Sequence, residues 1–169
     1  MSFRIGRAYA RHVYDERRGG GSAASPFARN FAAGPTLTTS IAAGGGTQIP
    51  WEVIDSGAPA GVDVPITPQS TGVVRISGVI SLKNSTGSAV AAQVEVQVND
   101  VSLTFPNAEN ATVDADGFEA IPFLAEATGL TIGVTVNVQI LVIAGGSDAI
   151  SAVAESSTLD VQEVAVATG

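Results

Sequence analysis

Alternation of apolar and polar residues is the feature that most constrains the fold of this chain. In VTVNVQILV (134–142) every second residue is aliphatic, so one side of an extended chain carries Val134, Val136, Val138, Ile140 and Val142. VEVQV (94–98) and VVRISGVISL (73–82) repeat the pattern. A period of two residues is the period of a β-strand with one buried face. In STLDVQEVAV (157–166) the alternation slips at Glu163.

Short turn signals separate these runs. Glycine-rich or Asn/Asp-rich segments occur at GGG (44–46), NSTG (84–87), ADG (115–117) and AGGSD (144–148). From about Thr36 onward we therefore expect some eight or more strands joined by short turns, with no convincing helix. This pattern predicts an all-β fold, a sandwich of the jelly-roll kind.

Charge divides the chain into two regions. The first 30 residues contain six arginines and two acidic residues, a net charge of +4, whereas the remainder carries −12. Residues 1–18 have a helical rhythm, and residues 19–35 read as a Gly/Ala/Ser-rich linker. We therefore predict a basic N-terminal arm, extended or partly helical, over residues 1–35, followed by a β domain over residues 36–169.

The arm combines cationic and aromatic side chains. Its candidate anchoring residues are Arg4, Arg7, Tyr9, Arg11, Tyr14, Arg17, Arg18, Phe27, Arg29 and Phe31. The alternatives for the partner of this arm are nucleic acid, an acidic membrane surface, a protein surface, or no partner at all. The aromatic residues favour a protein surface, because they can fill pockets that a purely electrostatic tail would not need. We expect neither nucleic acid nor a membrane as the partner.

The β domain is poor in charge. Charged residues make up 14% of the chain, against about 25% in ordinary soluble domains. Depletion of charge marks the centres of protein interfaces, so the composition favours self-association. A monomer that tolerates a neutral surface is the alternative.

The sequence contains few candidate catalytic residues. The chain has no cysteine, its single histidine (His12) lies among arginines, and no glycine run has the spacing of a phosphate-binding loop. We therefore predict no enzymatic activity, no catalytic residues, no metal and no cofactor. NAENATVDADGF (107–118) matches the opening of a calcium loop, but the downstream Glu is absent, so a plain turn is favoured over a cation site.

Four stretches together resemble a known family. They are TQIPWEVIDSG (47–57), TGVVRISGVISLKNSTG (71–87), GFEAIPFLAEATGLTIGVTVNVQILVIAG (117–145) and ISAVAESSTLDVQEV (150–164). Their pattern is similar to the TNF/C1q-like jelly rolls of tailed-bacteriophage virion proteins, over roughly residues 36–166. The resemblance rests on strand pattern and phrasing, without a diagnostic motif.

The resemblance implies a homotrimer and a role in the virion. Trimer contacts are predicted for Trp51, Ile121, Phe123, Leu159 and Val161, with a place in the core as the alternative for Trp51 and Phe123. The implied function is that of a head decoration or cement protein, which binds the major capsid protein through its arm and stabilises the capsid exterior. The alternative is the receptor-binding tip of a fibre or tail spike, which recognises a host surface ligand. No stalk precedes the β domain, which favours decoration.

Overall fold

The protein forms a β-sandwich in the computed structural model, which describes residues 28–33, 38–53, 61–103, 109–146, 150–152 and 157–165. These ranges contain strands and turns but no helix. The strands are β1 Arg29–Ala33, β2 Thr39–Ile41, β3 Gly46–Gln48, β4 Glu52–Val53, β5 Val64–Ile66, β6 Val74–Asn84, β7 Val90–Val98, β8 Val101–Ser102, β9 Glu109–Val113, β10 Phe118–Ala127, β11 Val136–Ala144, β12 Ile150–Ala152 and β13 Thr158–Glu163.

The first sheet, sheet A, is built around β6. Strand β10 pairs with β6 along one side, and β12 and β13 pair with successive parts of its other side. Strand β13 also pairs with β1, β1 with β4, and β12 with β2. These pairings are antiparallel, and they place the beginning of the described chain inside the sheet.

The second sheet, sheet B, is built around β11 and β7. Strands β3 and β5 pair with the outer side of β11, and β8 and β9 pair with the outer side of β7. The chain crosses between the sheets at every step from β2 to β7 and again at every step from β9 to β12. The predicted all-β sandwich is therefore confirmed.

The alternating residues face the space between the sheets. In β7 every second residue from Val90 to Val98 is buried, and β11 buries Val136, Val138, Ile140 and Val142 in the same way. Val134 is the exception to the predicted set, because it is 52% exposed and precedes β11. Its N–H donates to the Thr131 carbonyl in a turn, so the strand begins two residues later than predicted.

The five residues predicted to contact other subunits lie in the core of the single chain. Trp51, Ile121, Phe123, Leu159 and Val161 are at most 4% exposed and belong to the apolar cluster between the sheets. Side chains this deeply buried offer almost no surface to a second chain. We therefore expect outward-facing residues of the same strands to make the subunit contact. The burial of Trp51 and Phe123 matches the alternative prediction, which placed them in the core.

The predicted boundary between the arm and the β domain, after residue 35, lies too late in the chain. Arg29–Ala33 forms β1 and pairs residue by residue with β13, from Arg29 opposite Gln162 to Ala33 opposite Thr158. The last part of the predicted linker thus belongs to sheet A. We keep the division into arm and β domain as a proposal and draw its boundary before Ala28. Among the described residues, no helix is both long and apolar enough to cross a bilayer.

Candidate subunit interface and arm junction

The outward side of sheet A, here called the outer A face, carries the side chains that alternate with the core. The register of β10, β6 and β13 brings Leu124 beside Ser77, and Pro122 beside Val79 and Thr158. The centre of the face consists of Ala120, Pro122, Leu124, Ser77, Val79 and Thr158. None of these residues is charged, and Leu124 is 61% exposed.

Charged groups lie around this neutral centre. At one end Arg75 and Glu126 approach to 3.8 Å, and at the other the Lys83 Nζ lies 5.5 Å from the centre of the Phe118 ring. On the β13 side Asp160, in register with Ser77, forms an ion pair with Arg29 at 2.6 Å. A neutral centre with a charged rim is the arrangement found at protein interfaces. The outer A face is therefore our candidate surface for contact with a second copy of the chain.

Strand β10 borders this face and is an edge strand. Among the described strands it pairs with β6 alone. Its central residue Pro122 has no N–H to donate, so it interrupts the row of backbone groups on which another strand would add. A neighbouring subunit is thus expected to pack on side chains of the face, without extending the sheet.

The second candidate site is the junction at which β1 begins. Glu163, at the end of β13, is fully buried and points toward the core. Five backbone N–H groups donate to its carboxylate: those of Ser70 (2.8 Å), Thr71 (2.6 Å) and Gly72 (3.2 Å) to Oε1, and those of Gln69 (2.8 Å) and Ala28 (3.2 Å) to Oε2. The Glu163 N–H in turn donates to the Ala28 carbonyl at 2.8 Å. One carboxylate thereby joins β13, the start of β1 and the loop before β6.

The loop can wrap around the carboxylate because of its glycine. Gly72 has a φ of +63°, a conformation that side chains with a Cβ rarely adopt, and a Cβ there would collide with the Leu130 carbonyl oxygen. Successive N–H groups turned toward one point form a concave site for an anion. In this protein the anion is supplied by the chain itself.

The electrostatics of Glu163 follow from this geometry. Burial alone raises the pKa of its carboxyl, but backbone N–H donors, led by that of Gln69, outweigh it and lower the pKa from 4.5 to about 2. The group is therefore ionised over the physiological range, and its charge is stabilised by fixed backbone dipoles.

The structure describes only the end of the predicted arm. Residues Arg4, Arg7, Tyr9, Arg11, Tyr14, Arg17, Arg18 and Phe27 lie outside the described residues. Arg29 lies in β1, where its Nε and Nη2 donate to Asp160 Oδ1 and Oδ2 at 3.0 and 2.6 Å. Phe31 pairs with Asp160 through the backbone register of the same two strands. These two residues are therefore part of sheet A.

The described part of the chain contains few groups that could bind a metal or a cofactor. No group of three or more His, Cys, Asp or Glu side chains there could hold a metal ion. Residues 114–117 form a tight turn, in which the Gly117 N–H donates to the Asp114 carbonyl at 3.0 Å. The absence of a cofactor and of enzymatic activity stays a prediction.

Two residues of these sites were missed by the sequence reasoning. Glu163 occupies an inward position of β13, so the apparent slip in the alternation was the signal of a buried carboxylate. Leu124 is the aliphatic residue at an outward position of β10, between the buried Phe123 and Ala125. In both cases the residue type conflicted with the face that the period assigned to it.

Comparisons with known proteins identify the fold. No family model and no curated protein sequence matches the chain. Among solved structures, Eiger TNF from S. frugiperda superposes with a TM-score of 0.50 at 16% identity, covering 85% of this chain and 96% of that one. Murine APRIL at pH 5.0 gives 0.45 at 12% identity, covering 82% and 99%. A structure of infectious bursal disease virus, Gx strain, gives 0.47 at 14% identity, covering 79% of this chain and 32% of that one. The likeness to Eiger TNF shows that this chain adopts a TNF-like jelly-roll fold.

Proposed function

We propose that the chain is a homotrimeric structural protein whose subunits meet through the outer A face. The observation that carries this proposal is the uncharged centre of that face, where Leu124 is 61% exposed on an edge strand. A large aliphatic side chain in such a position exposes apolar surface whose burial stabilises association. The charged pairs at the rim permit the face to remain soluble before assembly.

The test is the mass of the particle in solution. Size-exclusion chromatography with light scattering should give three times the 17.0 kDa mass of the chain. Leu124→Asp should lower the mass to that of one chain, because it places a charge in the centre of the contact. Val101→Asp is the matched control, since Val101 is 66% exposed on β8 of sheet B. A monomeric wild type, or a Leu124→Asp variant that stays trimeric, would refute this assembly.

We further propose that the trimer is a virion protein, a head decoration or cement protein on the capsid surface. The support is the division of charge along the chain. Residues 1–27 carry five arginines and two acidic residues, a net charge of +3, which leaves −11 on the rest of the chain. A basic, aromatic segment joined to an acidic β domain suits an anchor that binds the major capsid protein while the domain faces outward.

Trimerisation would strengthen this attachment. Three segments that start from one particle bind as a unit, so the second and third contacts form at a high effective concentration. Individually weak arms could therefore hold the trimer on the shell. The junction at Glu163 supports this arrangement, because it ties the start of β1 firmly to the domain.

Co-sedimentation with undecorated capsids of the encoding phage tests the role. The full-length protein should pellet at a saturable stoichiometry, whereas a chain that lacks residues 1–27 should stay in the supernatant. Truncation before Ala28 keeps β1, so the truncated protein should remain trimeric, which light scattering verifies. Equal binding by both proteins would show that the domain alone docks, and no binding by either would refute the decoration role.

A further inference from the structure

The two sheets differ in the charge that they carry. The three cationic residues of the described chain, Arg29, Arg75 and Lys83, all lie on β1 or β6 of sheet A. Two of them approach carboxylates there, in the pairs Arg29–Asp160 and Arg75–Glu126. The strands of sheet B contain no lysine or arginine. Acidic charge on the outward side of sheet B therefore has no cation beside it among the described residues.

The outward side of sheet B, here called the outer B face, has an aliphatic centre. The strand register places Leu141 between Gln48 and Glu95, and Ile143 beside Gln93. Both aliphatic side chains are half-buried, at outward positions where a solvated sheet usually carries polar residues. Beside Ile143 a cavity of about 300 Å³ opens between β7, β9 and β11. The face thus offers apolar contact in addition to charge.

Three carboxylates are held on this face by side-chain hydrogen bonds. Gln139 Nε2 donates to Asp63 Oδ1 at 2.7 Å and to Asp100 Oδ1 at 3.1 Å. The Ser102 hydroxyl donates to Glu95 Oε2 at 2.9 Å. Asp63 and Asp100 are exposed, and no described residue donates to the Oδ2 atom of either. These groups are fixed acceptors that an arginine side chain can reach.

The segment before Ala28 starts at the end of the sandwich where the two aspartates lie. Ala28 donates to Glu163, whose carboxylate also binds the loop before β6. Two threonine hydroxyls, 2.7 Å apart, join that loop to the start of β11. In β11 the Asn137 carbonyl accepts from the N–H of Asn99, the neighbour of Asp100, at 2.9 Å. Because 27 residues can extend over roughly 90 Å, the segment can reach all of the outer B face.

We propose that residues 1–27 dock on the outer B face of the same chain. Charge complementarity selects this occupant, because the segment carries five arginines and two acidic residues, whereas the face carries carboxylates without a described cation. The aromatic side chains of Tyr9, Tyr14 and Phe27 suit the aliphatic centre and the cavity. Covalent attachment gives the segment a high effective concentration at the face, so individually weak contacts suffice.

Docking makes the availability of the segment a regulated property. An external partner of the segment has to displace it from the outer B face, so the apparent affinity for that partner falls with the docked fraction. This inference goes beyond the proposed function, because it concerns the free protein and holds whether or not the external partner is a capsid. The outer A face stays accessible for association throughout.

Carbodiimide coupling of the full-length protein, without capsids, tests the docking directly. The double variant Arg7→Lys/Arg11→Lys gives the segment two side-chain amines, which the reagent joins to carboxylates that they contact. Mass spectrometry should locate the new amide bonds at Asp63, Asp100 or Glu95, within single chains. The wild type, which has no lysine in the segment, is the control.

Trypsin cleavage of the full-length protein measures the docked fraction, since the arginines of the segment are cleaved when it is released. Asp63→Asn/Asp100→Asn removes two charges from the outer B face, and Asn tolerates the φ of +63° at Asp100. Cleavage before Ala28 should become at least about fivefold faster, because the lost ion pairs shift the equilibrium toward release. Asp114→Asn/Asp116→Asn is the matched control, which removes the same charge from the exposed turn after β9 and should be cleaved like the wild type. Thermal unfolding verifies that both variants are folded.

Each result decides the inference. Coupling to the outer B face together with faster cleavage of Asp63→Asn/Asp100→Asn supports it. New bonds chiefly at Asp114 or Asp116, bonds between chains, or equal cleavage of that variant and the wild type would overturn it. Equal acceleration by both double variants would show attraction to the net charge without a site, which also overturns it. Capsids are absent from both experiments, so failure of the decoration role would leave the inference standing.

Discussion

Replacing the buried carboxylate at the arm junction is the most informative perturbation of the fold. Glu163→Gln keeps the size of the side chain but exchanges one acceptor oxygen for an NH₂ group. At least two of the five backbone N–H donors, those that reach the exchanged oxygen, would then face another donor. A buried donor left without an acceptor destabilises the folded state.

The magnitude follows from the pKa of Glu163. A fall from 4.5 in the unfolded chain to about 2 in the folded protein corresponds to about 3 kcal/mol of stabilisation of the ionised form. Because the folded pKa is the lower one, this stabilisation is fully present above pH 4.5 and is lost as the pH falls toward 2. Glu163→Gln should therefore lower the free energy of unfolding by about 3 kcal/mol at pH 7, and by less than half as much at pH 3, which lies between the two pKa values.

Urea denaturation at pH 7 and at pH 3, at one fixed protein concentration, measures both quantities. Glu119→Gln is the matched control, because Glu119 undergoes the same chemical change on the exposed surface of β10 and should unfold within about 0.5 kcal/mol of the wild type. The reasoning is refuted if Glu163→Gln costs less than about 1 kcal/mol at pH 7. It also fails if the variant loses as much stability as the wild type between pH 7 and pH 3.

Three further substitutions test the packing and the polar contacts. Gly78→Ala should lower the free energy of unfolding by about 2–3 kcal/mol, because its Cβ would press on the Thr158 carbonyl, whereas Gly87→Ala, with open space around it, should be neutral in the same urea titration. Asn84→Ala should lower it by about 2–3 kcal/mol, since this fully buried amide both donates to and accepts from the loop that follows β6; an unchanged midpoint would contradict that role. Arg29→Ala should cost at most about 1 kcal/mol, and less in high salt, because its ion pair is largely exposed; a larger, salt-independent loss would show that β1 depends on it.

The sequence by itself determined the local structure of the β domain. A period of two residues can be read without knowledge of partners, because each strand must bury one of its faces. The inward residues of β6, β7 and β11 were therefore predictable, and so was a sandwich. The prediction for Val134 was wrong because residues Thr131–Val134 form a turn, and the strand begins only after it. The opposite charges of the first 30 residues and the remainder are likewise a property of the sequence alone.

Only the tertiary structure decided what the exceptions to the pattern mean. Glu163 breaks the apolar series because a loop almost a hundred residues away in sequence surrounds it with N–H groups, a contact that no local pattern encodes. Arg29–Ala33 reads as linker yet forms a strand, because pairing with β13 satisfies its backbone groups. The packing of the two sheets buries Trp51 and Phe123 in the core and leaves Leu124 on the surface. These features depend on long-range strand pairing, because the pairing fixes which side of each strand contacts protein and which side contacts water.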